Sequence, residues 1–504
     1  MLSDNNIKNI VIIGGGTAGW MVAAAFARLL IHPEINIHLI ESEAIGTVGV
    51  GEATIPHITY FNKLLGLQED EFIKKTNATF KLGIEFADWD EVGKSYIHPF
   101  GEYGFDMEGL NFHHFWLRHK ALGHTGSIDD YNLQIMAARA GKFQRPVNIP
   151  NSPLSKITYA FHFDATLYAR FMRDFAGTRG VKRTEGKVVD VMQNAETGFV
   201  ESVKLEDGTA IDGDLFIDCT GFYGLLIEKT LKSGFEDWSD VLPCNKAVTV
   251  GSERIADPIP YTRSTAKSAG WQWRIPLQSR TGNGYVYCSD HISDDEAANT
   301  LLEGLDSKPT GDPRFIKFKT GIRKEPWKKN VLSLGLAAGF MEPLESTSIH
   351  LIQTAIARFM THFPNKNFAQ ANIDYFNQRT HKEYEETRDF LILHYFATQR
   401  EDSSFWRYCK NMAIPETLKQ RIELYNEIAH VYRDGNELFG PTSWFAVMHG
   451  QGLTPKSCHP NTNMMPRNEL EKRMADIRRV WEKCCDSMPS HQSFIDQNCK
   501  IAAT

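Results

Sequence analysis

The chain has 504 residues, a net charge of −7, 23% charged residues and 42% hydrophobic ones. Its length exceeds the ~250–300 residues that one core usually organises, so two domains or one elaborated large domain is expected. Mild acidity without a long basic run argues against a nucleic-acid partner and leaves a small molecule as the expected ligand. Eight cysteines lie scattered without C-x-x-C or a Cys/His metal spacing, which reads as reduced thiols in a cytoplasmic protein with no metal site. Neither a signal-peptide pattern nor a membrane span is evident.

The stretch 9–20, NIVIIGGGTAGW, reads as strand, tight turn and helix. Ile10, Val11, Ile12 and Ile13 form an unbroken β-branched run, the pattern of a strand buried on both faces of a parallel sheet. Gly14, Gly16 and Gly19 give G-x-G-x-x-G. In that motif the first glycine allows the turn, the second lets backbone N–H groups approach a pyrophosphate, and the third lets helix and strand pack closely. A helix over 18–30 would present its N-terminus to the phosphate. A second apolar run, 35–40, ends at Glu41, near the ~20-residue offset of a ribose-binding acid. An adenine dinucleotide is therefore expected; the alternative is an ordinary β-α-β crossover with a glycine turn and a surface glutamate.

Residues 46–56, GTVGVGEATIP, suggest a second cofactor loop, with a mobile surface loop as the alternative. Residues 60–72 are helical in pattern. Phe80, Leu82, Ile84 and Phe86 then alternate with Lys81, Gly83 and Glu85, a strand with one apolar and one polar face on which Lys81 alone would read as solvated. Between 96 and 119 the chain is rich in His and aromatics, with Gly101, Gly104 and Gly109 arguing for loops. This is either aromatic core or a pocket for a planar ligand. Alternating valines between 183 and 221 suggest a small antiparallel unit closing on DLFIDCTG, 214–221. A buried strand ending in Thr-Gly is typical of chains that return to an FAD site, and favours FAD over NAD. No second G-x-G-x-x-G is evident, so a dedicated NAD(P)H domain is not seen and reduced flavin is expected from another protein, although some flavin enzymes bind nicotinamide without that motif. Residues 330–339 repeat the strand-then-glycine theme and run into FMEPLESTSIHLI, 340–352, which carries helix N-terminus chemistry: hydroxyl caps and free N–H groups suited to an anion. On spacing alone Glu345 reads equally as a helix-capping carboxylate. Beyond 353 the pattern is mainly helical, to about 397 and again over 414–434 and 468–487.

Two further motifs make the pattern specific. Trp271, Trp273, Ile275 and Pro276 form W-x-W-x-I-P, and Phe340, Pro343 and Ser346 fit most of F-x-x-P-x-x-S-x-G. With GGGTAGW, these resemble the flavin-dependent halogenases of the tryptophan halogenase family, from the N-terminus to at least Met412. The resemblance implies an α/β, Rossmann-type, flavin monooxygenase-like FAD region over 1–353 with inserted substrate-pocket segments, followed by a mainly α-helical substrate-side region, 354–504. It implies FAD contacts at Gly14, Gly16, Thr17, Ala18, Gly19, Glu41, Gly49, Gly51, Glu52, Ala53 and Leu344. Lys81, in NATFKLGIEF, matches the family's catalytic lysine, and Glu345, in PLESTS, its catalytic glutamate. Thr347 and Ser348 fall at the halide site, His98 and Phe100 at the aromatic pocket, and the tryptophan motif between flavin and substrate.

The implied reaction uses FADH2 from a separate flavin reductase, O2, and chloride or bromide. Hypohalous acid reaches Lys81, which directs halogen to an aromatic carbon. Ser348 departs from the family motif, which ends in glycine, and could change the halide preference. Residues 441–452 lack the paired tyrosines of free-tryptophan halogenases; Ser443 and Trp444 occupy that neighbourhood and favour an indole or another electron-rich aromatic. Rival readings are a flavin-dependent aromatic monooxygenase and a non-catalytic flavin-binding protein. The oligomeric state is open, a homodimer included.

Overall fold

A strand that is apolar at every position from Ile10 to Ile13 needs cover on both faces, and all four residues are buried. In the computed structural model, which describes residues 4–43 and 51–502, this strand is central to a six-stranded sheet. The order is Trp327–Lys328, Val331–Ser333, Leu215–Asp218, Asn9–Ile13, Asn36–Glu41, Lys182–Glu185. Asn9–Ile13 runs parallel to both neighbours, Ile12 pairing with Ile217 on one side and Leu39 on the other; only the edge strand Trp327–Lys328 is antiparallel. Val11 and Ile13 point to one face and pack with Val200, Val203, Leu205, Phe216 and Ile227, which joins the small antiparallel sheet Val188–Gln193, Val200–Leu205, Ala210–Asp212 to the main one. The helix Thr17–Leu29 buries everything from Gly19 to Phe26, and Phe26 stacks on Phe359 of the helix Ser348–Thr361.

The chain forms two compact units, each assembled from three stretches. The first comprises Met1–Asn77, Phe163–Asn245 and Lys317–Glu385; the second comprises Ala78–His162, Lys246–Ile316 and Glu386–Thr504. The boundary expected at 353 falls inside the helix Ser348–Thr361. The chain does become helical in that neighbourhood: every named element from Ser348 onward is a helix.

The second unit holds a sheet in the order Arg314–Lys317, Lys246–Glu253, Arg280–Tyr287, Gly270–Pro276, Thr262–Lys267, Gly83–Ala87, Ser95–Pro99. Val248, Val250, Tyr285 and Tyr287 on one face are covered by Ala297 and Leu301 of the helix Asp294–Glu303. Ser293 and Glu296 close that helix's N-terminus as a reciprocal capping box.

Several local expectations need correction. The helical stretch 60–72 is two helices, His57–Leu65 and Glu69–Lys75, separated where Gly66 adopts φ +77°. The alternating run around Lys81 is two strands, Thr79–Lys81 and Gly83–Ala87, and Lys81 is 0% exposed, so its face is not a solvated one. The glycines of 96–119 do mark turns, but Phe112–Ala121 is a helix and Ser95–Pro99 a strand. None of the eight cysteines is joined in a disulfide, and among the described residues no helix is long and apolar enough to cross a membrane.

Candidate active site

The expected site residues fall into two groups, one in each unit, and each group is built by its own part of the fold.

In the first unit, the glycines do distinct jobs. Gly14 takes φ +109°, and a Cβ there would lie 2.2 Å from the Cys219 carbonyl oxygen. A Cβ on Gly19 would lie 1.9 Å from the Gly14 oxygen, so this glycine lets the helix sit on the strand. Gly16 is different: a Cβ would meet nothing within 4 Å. It is also the N-cap of Thr17–Leu29 and makes no side-chain cap, so the amides of Thr17, Ala18 and Gly19 precede the first intrahelical bond, from Trp20 to Gly16. An open cradle at a helix N-terminus fits the pyrophosphate of a flavin dinucleotide. Glu41 ends its strand with both carboxylate oxygens held: Arg183 Nε donates to Oε1 at 2.5 Å, and Trp20 Nε1 to Oε2 at 3.2 Å. Arg183 also spans Glu43 and Glu185. Gly15 is imposed by this arrangement, since its Cβ would fall 1.5 Å from Glu41 Oε2.

Gly51, Glu52 and Ala53 form a short strand, Gly51–Ala53, and burial pushes the Glu52 carboxyl up to about 7. Gly49 lies outside the described residues. The returning strand Leu215–Asp218 ends on Asp218, which is fully buried. One of its oxygens accepts from the Thr220 amide and hydroxyl, the other from the amides of Leu226 and Ile227.

Pro343–Glu345 is a single 3₁₀ turn, after which Ser346 adopts a left-handed φ of +59° and Thr347 precedes the helix Ser348–Thr361. Leu344, Glu345, Ser346 and Thr347 are all buried, and Ser348 is half-buried. The expected hydroxyl cap is not formed, because Thr347 has helical φ and ψ and its side chain makes no cap bond. The amides of Ser348, Ile349 and His350 precede the first helical bond, from Leu351 to Thr347, so what this helix start offers an anion is backbone N–H groups. One turn into the helix, burial and His57, whose ring centroid is 4.6 Å away, hold His350 neutral with its pKa lowered to about 3.

In the second unit Lys81 ends the strand Thr79–Lys81, which pairs antiparallel with Ala160–Asp164, Lys81 lying opposite Ala160 and Thr79 opposite His162. Lys81 Nζ stands 5.2 Å from the centroid of the Phe100 ring. His98 is buried on Ser95–Pro99, 5.6 Å from Phe390 and 6.1 Å from Phe439. Phe390 stacks on Phe439 at 3.8 Å and meets Trp444 edge-on at 4.9 Å. Thus His98 and Trp444, distant in sequence, share one aromatic cluster. Ser443, half-buried, lies in the first turn of Pro441–Gly450. Sequence reasoning missed Phe390, Phe439 and Arg421. The Arg421 guanidinium lies 4.5 Å from the Trp444 ring centroid and 4.2 Å from that of Tyr432, and pairs with buried Glu437. None of these residues carried a local motif.

The tryptophan motif is the strand Gly270–Pro276. Trp271 and Trp273 share a face with centroids 6.0 Å apart, and Trp273 lies directly on Gly284, where a Cβ would be 2.1 Å from its ring. At the strand's end the Thr79 hydroxyl donates to the Pro276 carbonyl at 2.6 Å, which ties the motif to the strand that carries Lys81.

An open glycine turn at a helix N-terminus and a buried lysine beside an aromatic ring fit the class of a flavin enzyme acting on an aromatic compound. The sequence profile of tryptophan halogenases matches residues 9–467, and the chain belongs to the tryptophan halogenase family. It is 34% identical to the tryptophan 6-halogenase ThaL of Streptomyces albogriseolus over 98% of this chain and 99% of that protein. Its structure is similar to Xcc4156, a flavin-dependent halogenase from Xanthomonas campestris, with TM-score 0.96, 44% identity and coverage of 99% and 100% of the two chains. It is likewise similar to BrvH, a flavin-dependent halogenase from Brevundimonas sp. BAL3, with TM-score 0.94, 44% identity and coverage of 98% and 99%. The protein is a flavin-dependent halogenase, an oxidoreductase that uses flavin and halide.

Proposed function

We propose that the protein uses FADH2 from a separate reductase, O2 and chloride or bromide to halogenate an electron-rich aromatic of the indole type, with Lys81 as the amine that delivers the halogen. The observation that carries this reading is the full burial of Lys81 on a strand end, its Nζ beside Phe100. Full burial costs a lysine its hydration.

The residues proposed to hold FAD are Gly14, Gly16, Thr17, Ala18, Gly19, Glu41, Gly49, Gly51, Glu52, Ala53 and Leu344. The chemistry a bound reduced flavin supplies is the two-electron oxidation of halide, with O2, to hypohalous acid. The amides at the start of Ser348–Thr361, with Thr347 and Ser348, are the halide site in this reading. Lys81 either donates a hydrogen bond to the hypohalous acid as an ammonium or, as the free amine, exchanges a proton for the halogen and releases water. The reading gives Glu345 the carboxylate's part, positioning the oxidant and taking up the proton the ring releases.

His98 and Phe100, with Trp444, present aromatic surface. The cation beside Trp444, Arg421, is already paired with Glu437 and donates to the Tyr432 carbonyl. That environment supports a neutral aromatic over the zwitterionic end of free tryptophan. Incubation with reductase, FAD, NADH and either halide, using indole and tryptophan in parallel, tests this by product mass. Halogenated indole with little halogenated tryptophan is expected; oxygenated product would favour the monooxygenase.

A further inference from the structure

We propose that His491 and His162 are positioning residues for Lys81, two neutral imidazoles that clamp the two residues preceding it on its strand. The inference rests on Lys81 being the halogen-delivering amine.

Among the described residues, the strand Thr79–Lys81 has a strand partner, Ala160–Asp164, on one side only. Its other side faces the segment 258–260, and the connection there is unusual. The Leu82 amide donates directly to the Pro260 carbonyl at 2.8 Å. Two residues earlier, the Phe80 amide donates instead to Nε2 of His491 at 3.1 Å, and His491 Nδ1 lies 2.7 Å from the Pro258 carbonyl. A carbonyl can only accept, so Nδ1 carries the proton and Nε2 the lone pair. The imidazole thus takes the place of a direct ladder bond, and only its neutral Nδ1–H form can do so. His491 is 1% exposed and opens the helix His491–Asn498, beyond the stretch matched by the family profile.

The second clamp is fixed by the same logic. Thr79 has one hydroxyl proton, which goes to the Pro276 carbonyl at 2.6 Å. The hydroxyl must therefore accept from His162 Nδ1, 3.1 Å away. His162 Nε2 then accepts from the Thr262 hydroxyl at 2.9 Å. Burial, with Lys81 and His491 nearby, holds His162 far below the usual histidine range. Thr79 and Lys81 lie on the same face of the strand, so the chain Thr262, His162, Thr79, Pro276 fixes the register of the lysine relative to the tryptophan motif. Neither histidine offers Lys81 a second positive charge.

Two pairs of variants test the proposal. His491→Phe and Thr79→Val keep volume and remove the hydrogen bonds. His491→Gln can accept from Phe80 and donate to Pro258, and Thr79→Ser keeps the hydroxyl. The disrupting pair is expected to lower kcat for halogenation about 10- to 100-fold, since a displacement near 1 Å is enough, with KM for the aromatic little changed. Hydrogen exchange of the peptide spanning 76–86 should rise in the same proteins, with FAD binding retained. The conservative pair should restore both readouts. Exchange does not depend on turnover, so a wild type that makes no halogenated product while exchange responds as expected would sink the proposed function and leave the clamp standing. The proposal is overturned if His491→Phe matches wild type in kcat and exchange, or if His491→Gln, with FAD bound and 76–86 protected, is as slow as His491→Phe.

Discussion

Arg183 holds Glu41 at 2.5 Å, and the pair stands at the carboxyl end of the parallel sheet, one strand from the glycine turn. Nucleotide sites in such sheets lie at the strand carboxyl ends. Glu41, the acid proposed to bind the ribose, is therefore pre-set by a cation 142 residues away. Arg183→Met is expected to weaken FAD binding about 10-fold, the scale of a lost charge-assisted hydrogen bond, while leaving the melting temperature within a few degrees. Equilibrium flavin titration and thermal melting of the same sample check it.

The glycines separate folding from binding. Gly16→Ala meets open space, so it should leave stability without flavin unchanged and reduce FAD affinity. Gly19→Ala would drive a methyl group into the Gly14 carbonyl at 1.9 Å and should lower stability itself by about 1–3 kcal/mol. Melting temperatures with and without FAD distinguish the two.

Histidines held neutral inside the fold make it acid-sensitive. Burial is the main cause in each case: His113 and His350 are lowered to about 3, and His114, His449 and His491 to about 4. An unfolded histidine titrates near 6.5, so between that pH and about 4 the unfolded chain binds protons the folded chain refuses. Stability is therefore full above ~6.5 and falls as the pH drops through that window. The urea midpoint should decrease from about pH 7 to about pH 4.5. Replacing His449 with Phe should flatten the slope, because that group no longer titrates.

Arg421 and Glu437 are a buried pair under Trp444. Arg421→Ala leaves a buried carboxylate without its cation and removes the surface on which Trp444 rests. A loss of about 3–5 kcal/mol is expected, read as a shift in the urea midpoint at unchanged slope.

Ser348→Gly tests the halide site. Removing the hydroxymethyl group at the first residue of Ser348–Thr361 should change the ratio of brominated to chlorinated product when both halides compete. An unchanged ratio would mean that the side chain does not shape the site.

The dinucleotide half of this architecture was legible because its constraints are local. Gly14 and Gly19 answer to atoms within one turn and at the end of the adjoining strand, Gly16 opens the helix start between them, and the β-branched run at Ile10 to Ile13 reports burial on two faces. Arg183, Arg421, His162 and His491 were not legible, since each acts through a partner far along the chain; His491 and Phe80 are 411 positions apart. Lys81 shows the limit of periodicity. Its position in an alternating run reads as solvent-facing, and only the pairing with Ala160–Asp164 puts that face inside. The helix Phe112–Ala121 was hidden for a related reason: its buried face is made of His113, His114, Phe115 and Trp116, which give no simple apolar stripe.

The central claim is that Lys81 delivers the halogen. Its most direct test is mass spectrometry of indole incubated with reductase, FAD, NADH, O2 and bromide, comparing wild type with Lys81→Ala at matched flavin occupancy. A bromine isotope pattern in the wild type that vanishes in the variant, with FAD still bound, is the expected result. Brominated indole formed equally by Lys81→Ala would contradict the account.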